Sequence, residues 1–217
     1  VLKSYSAKQM ADLRDETFHR IPELEVAWRS EFEESAGTQN FLNAVGNYPE
    51  LAGQKANLYK CFLPKAWANG SLKAVSGFLH PEGIYDDPNG GLFRRKLFQR
   101  LRSHFQYQNQ RMLFPIGHRV KYSSNIYGVR SDKPHFDTIA NLFMPKTIDL
   151  CFAHDGSGIV GGIKSDEGDN WDESGHHDRI INVGEKELAL FAELYDEAGT
   201  ASLEARLPAL HAKQLLN

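Results

Sequence analysis

The sequence predicts an α/β fold: a helical section over residues 1–70, a sheet-bearing section over 71–130 and a loop-rich α+β tail over 131–217. Three observations predict it. Apolar residues recur at helical intervals through the first seventy positions. The period changes after the turn signal Asn69-Gly70-Ser71. From there to Val129 the pattern reads strand, crossover helix, strand and hairpin return.

In the helical section, Met10, Leu13, Phe18 and Ile21 share a stripe over 6–21, with Ser4 or Ser6 as cap. Pro22 suits the first turn of a second helix over 23–35, in which Leu24, Trp28 and Phe32 recur every four residues and Gly37 marks the end. A short helical turn at Phe41, Leu42 and Val45 leads to a longer helix over 50–68. Its buried candidates are Leu51, Leu58, Phe62 and Trp67, and Pro64 is expected to kink it. Residues 72–79 read as a buried strand ending at His80-Pro81-Glu82-Gly83, and Asp86-Asp87 as turn and cap chemistry. Phe93, Leu97, Leu101 and Phe105 then recur every four residues, predicting an amphipathic helix with Arg94, Arg95, Arg100 and Arg102 on its other faces. Strands follow over 105–114 and 121–129. In the tail the expectations are a short helix at 136–143, a strand at 147–153 and a long Gly- and Asp-rich loop at 154–178. A strand at 179–183, a helix at 185–195 and a last helix at 203–216, interrupted by Pro208, complete it.

Composition narrows the function classes. With 41% hydrophobic and 24% charged residues, the 217-residue chain has an ordinary globular make-up. No apolar run approaches the roughly 18 residues of a membrane span and no signal-peptide pattern opens the chain, so the expectation is a cytoplasmic protein without a membrane partner. Cys61 and Cys151 sit in apolar settings that suit buried free thiols. The chain begins at Val1 without an initiator Met, as though it continued from something earlier, and a fragment of a longer polypeptide is expected.

Charge is segregated. Residues 88–131 carry nine Lys and Arg and no Asp or Glu, leaving 16 basic against 28 acidic residues elsewhere. Phe105, Tyr107, Gln108, Asn109, Gln110, Phe114 and Tyr122 are interleaved with that charge. Cations beside stacking and amide groups suit nucleic acid; a solvated basic helix on a structural hairpin is the simpler reading.

Over 50–130 the chain resembles the adenine-specific DNA methyltransferases of restriction-modification systems, in particular the long type II enzymes. The resemblance rests on several features in order: Asn57-Leu58-Tyr59 ahead of the first strand, the His80-Pro81-Glu82-Gly83 loop, the basic run over 92–102, the aromatic strand over 104–114, and Lys121-Tyr122-Ser123-Ser124-Asn125-Ile126-Tyr127-Gly128. It implies the C-terminal half of a Rossmann-like S-adenosylmethionine-dependent methyltransferase sheet, mixed and ending in a β-hairpin. It implies too that the target adenine is flipped from the duplex into a pocket walled by this half. Tyr122 matches the position that packs on the base, with Lys121, His118, His80 and Pro81 around the pocket and Arg94, Arg95, Arg100, Arg102, Arg111 and Arg119 towards the DNA backbone. The family's catalytic Asn-Pro-Pro-aromatic motif is missing, so the chain alone is expected to be inactive. Cofactor, double-stranded DNA and the remainder of the parent polypeptide are partners of the whole, and a half-sheet with an open edge is expected to self-associate.

Two other motifs were weighed. Gly156, Gly158 and Gly161 satisfy G-x-G-x-x-G, but the following residues, through Asp166, Glu167 and Gly168, are a poor start for the helix such a fingerprint must open. His154, Asp155, His176, His177 and Asp178 are metal-ligand types without a ligand spacing, which puts a metal-dependent hydrolase behind a non-catalytic DNA-binding or interaction module as alternatives.

Overall fold

The computed structural model describes residues 5–55, 57–165 and 170–216. Ser4 as a cap, and residues 166–168 of the glycine-motif reading, lie outside them. Helix α1 spans Ala7–Arg20 behind a capping box: the Ser6 hydroxyl accepts from Gln9 N–H at 3.3 Å and Ser6 N–H donates to Gln9 Oε1 at 2.8 Å. Pro22 opens α2, which runs over Pro22–Asn43. Gly37 therefore does not end the helix. A mid-helix glycine costs about 1 kcal/mol, too little to break a helix whose continuation places Leu42 on the core. Neither helix buries a residue. Trp28 sits between Phe18 and Phe32, ring centroids at 5.7 and 5.2 Å, so the aromatic stripe serves the contact between the two helices.

Residues 50–68 are not one helix. A 3-10 turn at Pro49–Leu51 precedes α3, Leu58–Asn69, which accommodates Pro64 internally. Its buried face runs through Lys60, Cys61 and Leu63, while Leu58 and Phe62 are exposed. The shift has a cause: Lys60 Nζ reaches Asp87 Oδ2 at 3.0 Å and Gln54 Oε1 at 2.8 Å, and this buried ion pair turns its side of the helix inward.

Strand β1 is Ser76–Pro81, with Leu72 outside it and 93% exposed. A one-turn helix α4 (Gly83–Asp86) and a 3-10 turn capped by the Asp87 side chain lead to α5, Gly91–Phe98. The basic helix is thus shorter than its four-residue repeat suggests: Leu101 and Arg102 already belong to β2, Leu101–Gln108, where Leu101 is still buried and mimics a fifth turn. Strand β3 is Lys121–Tyr127.

In the tail two assignments exchange. Residues 136–143 form not a helix but strand β4, Phe136–Leu142; residues 147–153 form not a strand but helix α6, Lys146–Ala153. A strand hydrogen-bonded on both sides and covered on both faces loses its alternation, which leaves its period ambiguous. In α6 the buried residues, Thr147 and Cys151, are four apart. Strand β5 (Ile181–Val183) and helix α7 (Glu185–Tyr195) lie where expected. No helix forms over 203–216. Two 3-10 turns, Ser202–Glu204 and Lys213–Leu216, flank an irregular segment whose Leu207 N–H donates to Tyr85 O at 3.0 Å.

The sheet is mixed, with order β1-β3-β2-β4-β5. Strand β3 is antiparallel to both neighbours, β2 and β4 are parallel, and β5 is antiparallel to β4. Strands from both sides of residue 130 share it. One core cluster joins Leu63, Phe93, Leu97, Tyr127, Phe136 and Phe191; a smaller one, on the other face, joins Tyr107, Tyr122, Ile139, Leu142 and Cys151. Helices therefore cover both faces. Both cysteines are free and buried. Among the described residues no helix is long and apolar enough to cross a membrane.

Arg94 ties the tail to this body. It is 1% exposed; Nε and Nη2 donate to Glu204 O at 3.0 and 2.8 Å, and Nη1 donates to Asp87 O. Replacement by Met keeps the aliphatic volume and strands these carbonyls. Chemical denaturation of Arg94→Met should show a loss of about 2–3 kcal/mol, the scale of hydrogen bonds to a charged group.

Candidate functional site at the strand carboxyl ends

Because β3 reverses between β1 and β2, the carboxyl ends of β1, β2 and β4 emerge on one side of the sheet, beside the start of β3. Open α/β sheets place their ligand sites outside these ends. Alternation along β2 sends His104, Gln106 and Gln108 to one face and Phe105 and Tyr107 to the other. Glu82, immediately after β1 and 8% exposed, meets that polar row. His104 Nε2 lies 3.2 and 3.3 Å from the two carboxylate oxygens, and Gln106 Nε2 donates at 3.2 Å. The carboxylate calls for a proton on Nε2, and Nδ1 lies 2.8 Å from the Thr138 hydroxyl.

The ladder continues outward. Gln106 Oε1 accepts from Asn141 N–H at 3.4 Å, and Gln108 Nε2 donates to Asn141 Oδ1 at 2.9 Å. Asn141 holds φ of 58°, a left-handed conformation that an asparagine adopts at a cost and that breaks the regular pleat at the end of β4. Burial pushes the Glu82 pKa up, but His104, by charge and hydrogen bond, and the hydrogen bonds of Ser123 and Gln106 outweigh it and hold the carboxyl below its ordinary range.

A second buried network adjoins the first. His80 Nδ1 lies 2.9 Å from Pro81 O and is therefore the donor, so Nε2 accepts from Asn125 Nδ2 at 3.0 Å and lies 2.9 Å from the Tyr127 hydroxyl. The Tyr85 hydroxyl donates to Asn125 Oδ1 at 2.6 Å. Burial lowers the His80 pKa, and it raises those of Tyr85 and Tyr127. Tyr59 stacks on His80 with centroids 5.7 Å apart, its phenol pushed up to about 12 by burial and then by Asp86, Asp87 and Glu82.

Of the residues proposed from the sequence, His80 belongs to this polar face and Tyr122 to the opposite one. Tyr122 is 5% exposed, stacked on Tyr107 at 5.3 Å and met edge-on by Phe114 at 5.0 Å; its hydroxyl is buried without a partner. Pro81 pairs across the strands with Tyr122 and is exposed, as are Lys121 and His118. The loop between β2 and β3 is pinned by buried Asn109. Its Nδ2 donates to Phe114 O at 3.0 Å and Ile116 O at 2.9 Å, and its N–H donates to Val120 O at 3.1 Å. Met112, Leu113, Phe114 and Ile116 are exposed on this braced loop.

The arginines divide. Arg94 does not emerge from the helix, and Arg95 pairs with Glu204. Arg100 and Arg102 lie at the other end of the sheet, about 20 Å from Lys121 at 3.4 Å per strand residue. Arg100 sits over Trp67, and Arg102 donates to Leu101 O and Val129 O. Only Arg119, which is exposed, and Arg111, paired with Glu173, adjoin Lys121. Gly156 and Gly158 take φ of +85°, but they follow the end of α6, and among the described residues the next α-helix after Gly161 is α7, so these glycines do not open a helix of the kind a nucleotide-type cofactor needs. Asp87 is a cap and an ion-pair partner of Lys60. Among the described residues no group of three or more His, Cys, Asp or Glu is placed to hold a metal ion.

Glu82, His104, Gln106 and Asn141 are the members that sequence reasoning missed; Gln108 was noted only as one amide of the basic band. The period-two recurrence of His104, Gln106 and Gln108 against two aromatics was the available signal, since it marks one polar face of a strand. No protein-family model matches the chain, and neither does any curated protein.

Two outcomes follow. The folded protein resists protonation of both His80 and Glu82, so each contribution is present above the unfolded pKa and lost as pH falls through the folded value. Stability should fall in two stages on acidification, the first below about 6.5 and the second below about 4.5, and His80→Gln should erase the first stage in pH-resolved urea titrations. Tyr122→Phe removes a buried hydroxyl without a partner and should leave stability unchanged or raise it by up to about 1 kcal/mol.

Proposed function

We propose that this chain is the target-base half of an S-adenosylmethionine-dependent adenine DNA methyltransferase of a restriction-modification system. The observation that carries the reading is the ladder of Glu82, Gln106, Asn141 and Gln108 at the strand carboxyl ends. Adenine presents an amine donor beside a ring-nitrogen acceptor, and amide and carboxylate side chains are the groups that pair with such an edge. Gln108 is the half-buried member, held by Asn141, with Gln106 and Glu82 behind it. The aromatic surface offered at this end is that of Phe114, backed by Tyr122, and stacking on an extruded base is worth about 1–3 kcal/mol. Arg119 and Lys121 supply phosphate contacts at the same mouth, and Arg111 can exchange Glu173 for a phosphate.

The sheet supports the same reading. The resemblance implies a mixed half-sheet closed by a hairpin, and β3 returns between two strands that run alike. Strand β1 has no second neighbour among the described residues, which leaves an edge for the remaining strands of a Rossmann-like sheet. The cofactor and the catalytic Asn-Pro-Pro-aromatic motif are assigned to that remainder. Leu24, Trp28 and Phe32 of α2 stay exposed and suit the same partner.

A second reading, a non-catalytic DNA-binding module, is favoured by the lack of that motif in the chain. Fluorescence anisotropy with duplex DNA should show binding that weakens steeply with salt. Arg119→Gln and Lys121→Gln should each flatten the log-log slope by about 0.9, whereas Arg100→Gln should leave it unchanged. An unaltered slope in both site variants would remove this face from DNA. Brightening of 2-aminopurine at the target adenine, and methyl transfer by the polypeptide containing this chain, separate the enzyme from the module.

A further inference from the structure

At the far end of the sheet a cavity of about 290 Å³ lies between the carboxyl end of α3 and the segment following β3. Trp67, Gly70 and Ser71 line one side; Arg100, Gly128 and Arg130 line the other. None of its lining residues is Asp or Glu. Arg100 is held across the Trp67 ring, 5.0 Å from its centroid, by a single bond from Nη1 to Lys96 O at 3.0 Å, so most of its donor fork is unused among the described residues. Arg130 pairs with Asp132 at 3.1 Å, and that pair is too exposed to neutralise it strongly. Arg102 fixes the wall itself: it donates to Val129 O, and a Cβ at Gly128 would come within 3.1 Å of its guanidinium.

Two guanidiniums around a cavity whose lining holds no carboxylate form a site for an anion. Burial and then the neighbouring Arg130 disfavour charge on Arg100 while Glu50 favours it, and an anion in the cavity would add to that support. We infer that this cavity binds a small phosphomonoester, its oxygens accepting from Arg100 and Arg130. Phosphate fits better than carboxylate because it offers three terminal oxygens and matches the guanidinium fork. The volume is at the lower limit for small-molecule pockets, which restricts the ester group to about the size of a nucleoside. The inference is independent of the methyltransferase reading, since the length of β3 separates this cavity from the Glu82 site.

Isothermal titration calorimetry of the protein at low salt, with inorganic phosphate and with a nucleoside monophosphate, tests it. Saturable binding is expected. Arg130→Gln, at an exposed position, should weaken it about tenfold, the effect of one lost charge-assisted hydrogen bond. Arg119→Gln, at the other end of the sheet, should leave it unchanged. Absence of saturable heat up to about ten times the millimolar range, or full affinity in Arg130→Gln, would overturn the site. So would binding of a short DNA duplex at this cavity, blocked by Arg130→Gln, in place of the small phosphates.

Discussion

The buried carboxylate of Glu82 is the constraint from which the rest of the sheet's polar face follows. An ionised group removed from water loses several kcal/mol unless donors replace its hydration. His104 and Gln106 can do so only if β2 lies within reach of β1's end with its polar row turned towards it. Inserting β3 between them meets that geometry, with the small Ser123 and Asn125 on the intervening strand leaving room for longer side chains on either side. The requirement then passes outward. The second nitrogen of His104 needs a hydrogen-bond partner, which the Thr138 hydroxyl supplies from β4, and Gln106 needs a donor for its oxygen, which the turned backbone of Asn141 provides. A single desolvated charge thus fixes strand order, register and the unusual conformation at the end of β4.

How much of this was legible in the sequence depended on the range of the deciding contacts. α1, β3 and α7 were readable because capping, alternation and amphipathicity are local, and Ser6, Tyr127 and Leu188 behave as their spacing indicates. β4 and α6 were exchanged because Phe136 to Leu142 owes its strand state to partners on both sides, a fact no seven-residue window contains. Residues 203–216 likewise carry helical spacing, but Glu204 O and Leu207 N–H are committed to Arg94 and Tyr85. The site was half legible. His80, Pro81, Lys121 and Tyr122 lie at one end of the sheet, although its two faces separate His80 from Tyr122. Glu82 was passed over because a carboxylate after a strand reads as a turn residue until its donors are known.

The basic band deserves the same distinction between pattern and placement. Nine cations without an acid suggested one continuous electrostatic surface, yet their fates differ. Arg94 is internal and its charge is spent on carbonyls; Arg95 and Arg111 are matched by Glu204 and Glu173 from the tail. The acidic residues absent from the local sequence are thus returned by the fold. Of the others, Lys96 is exposed on α5 and Arg102 donates to carbonyls, and the remaining four lie at opposite ends of β3: Arg119 and Lys121 at one, Arg100 and Arg130, the latter in an exposed pair with Asp132, at the other.

That division restricts what one polyanion can do. A duplex about 20 Å wide, seated on the exposed loop at Phe114, would meet the first group, and its backbone would have to run along the sheet to reach the second. Nothing in the fold prepares that path: β3 lies between β1 and β2, and helices cover both faces of the sheet. The two ends also differ in chemistry. One combines amides, a carboxylate and aromatics, groups that distinguish a base, whereas the other offers donors alone, which distinguish only charge and size. A surface selected merely for adhesion to DNA would not need the first and would not enclose the second. Under the two proposals made above, the segregated charge divides between the two ends of one strand.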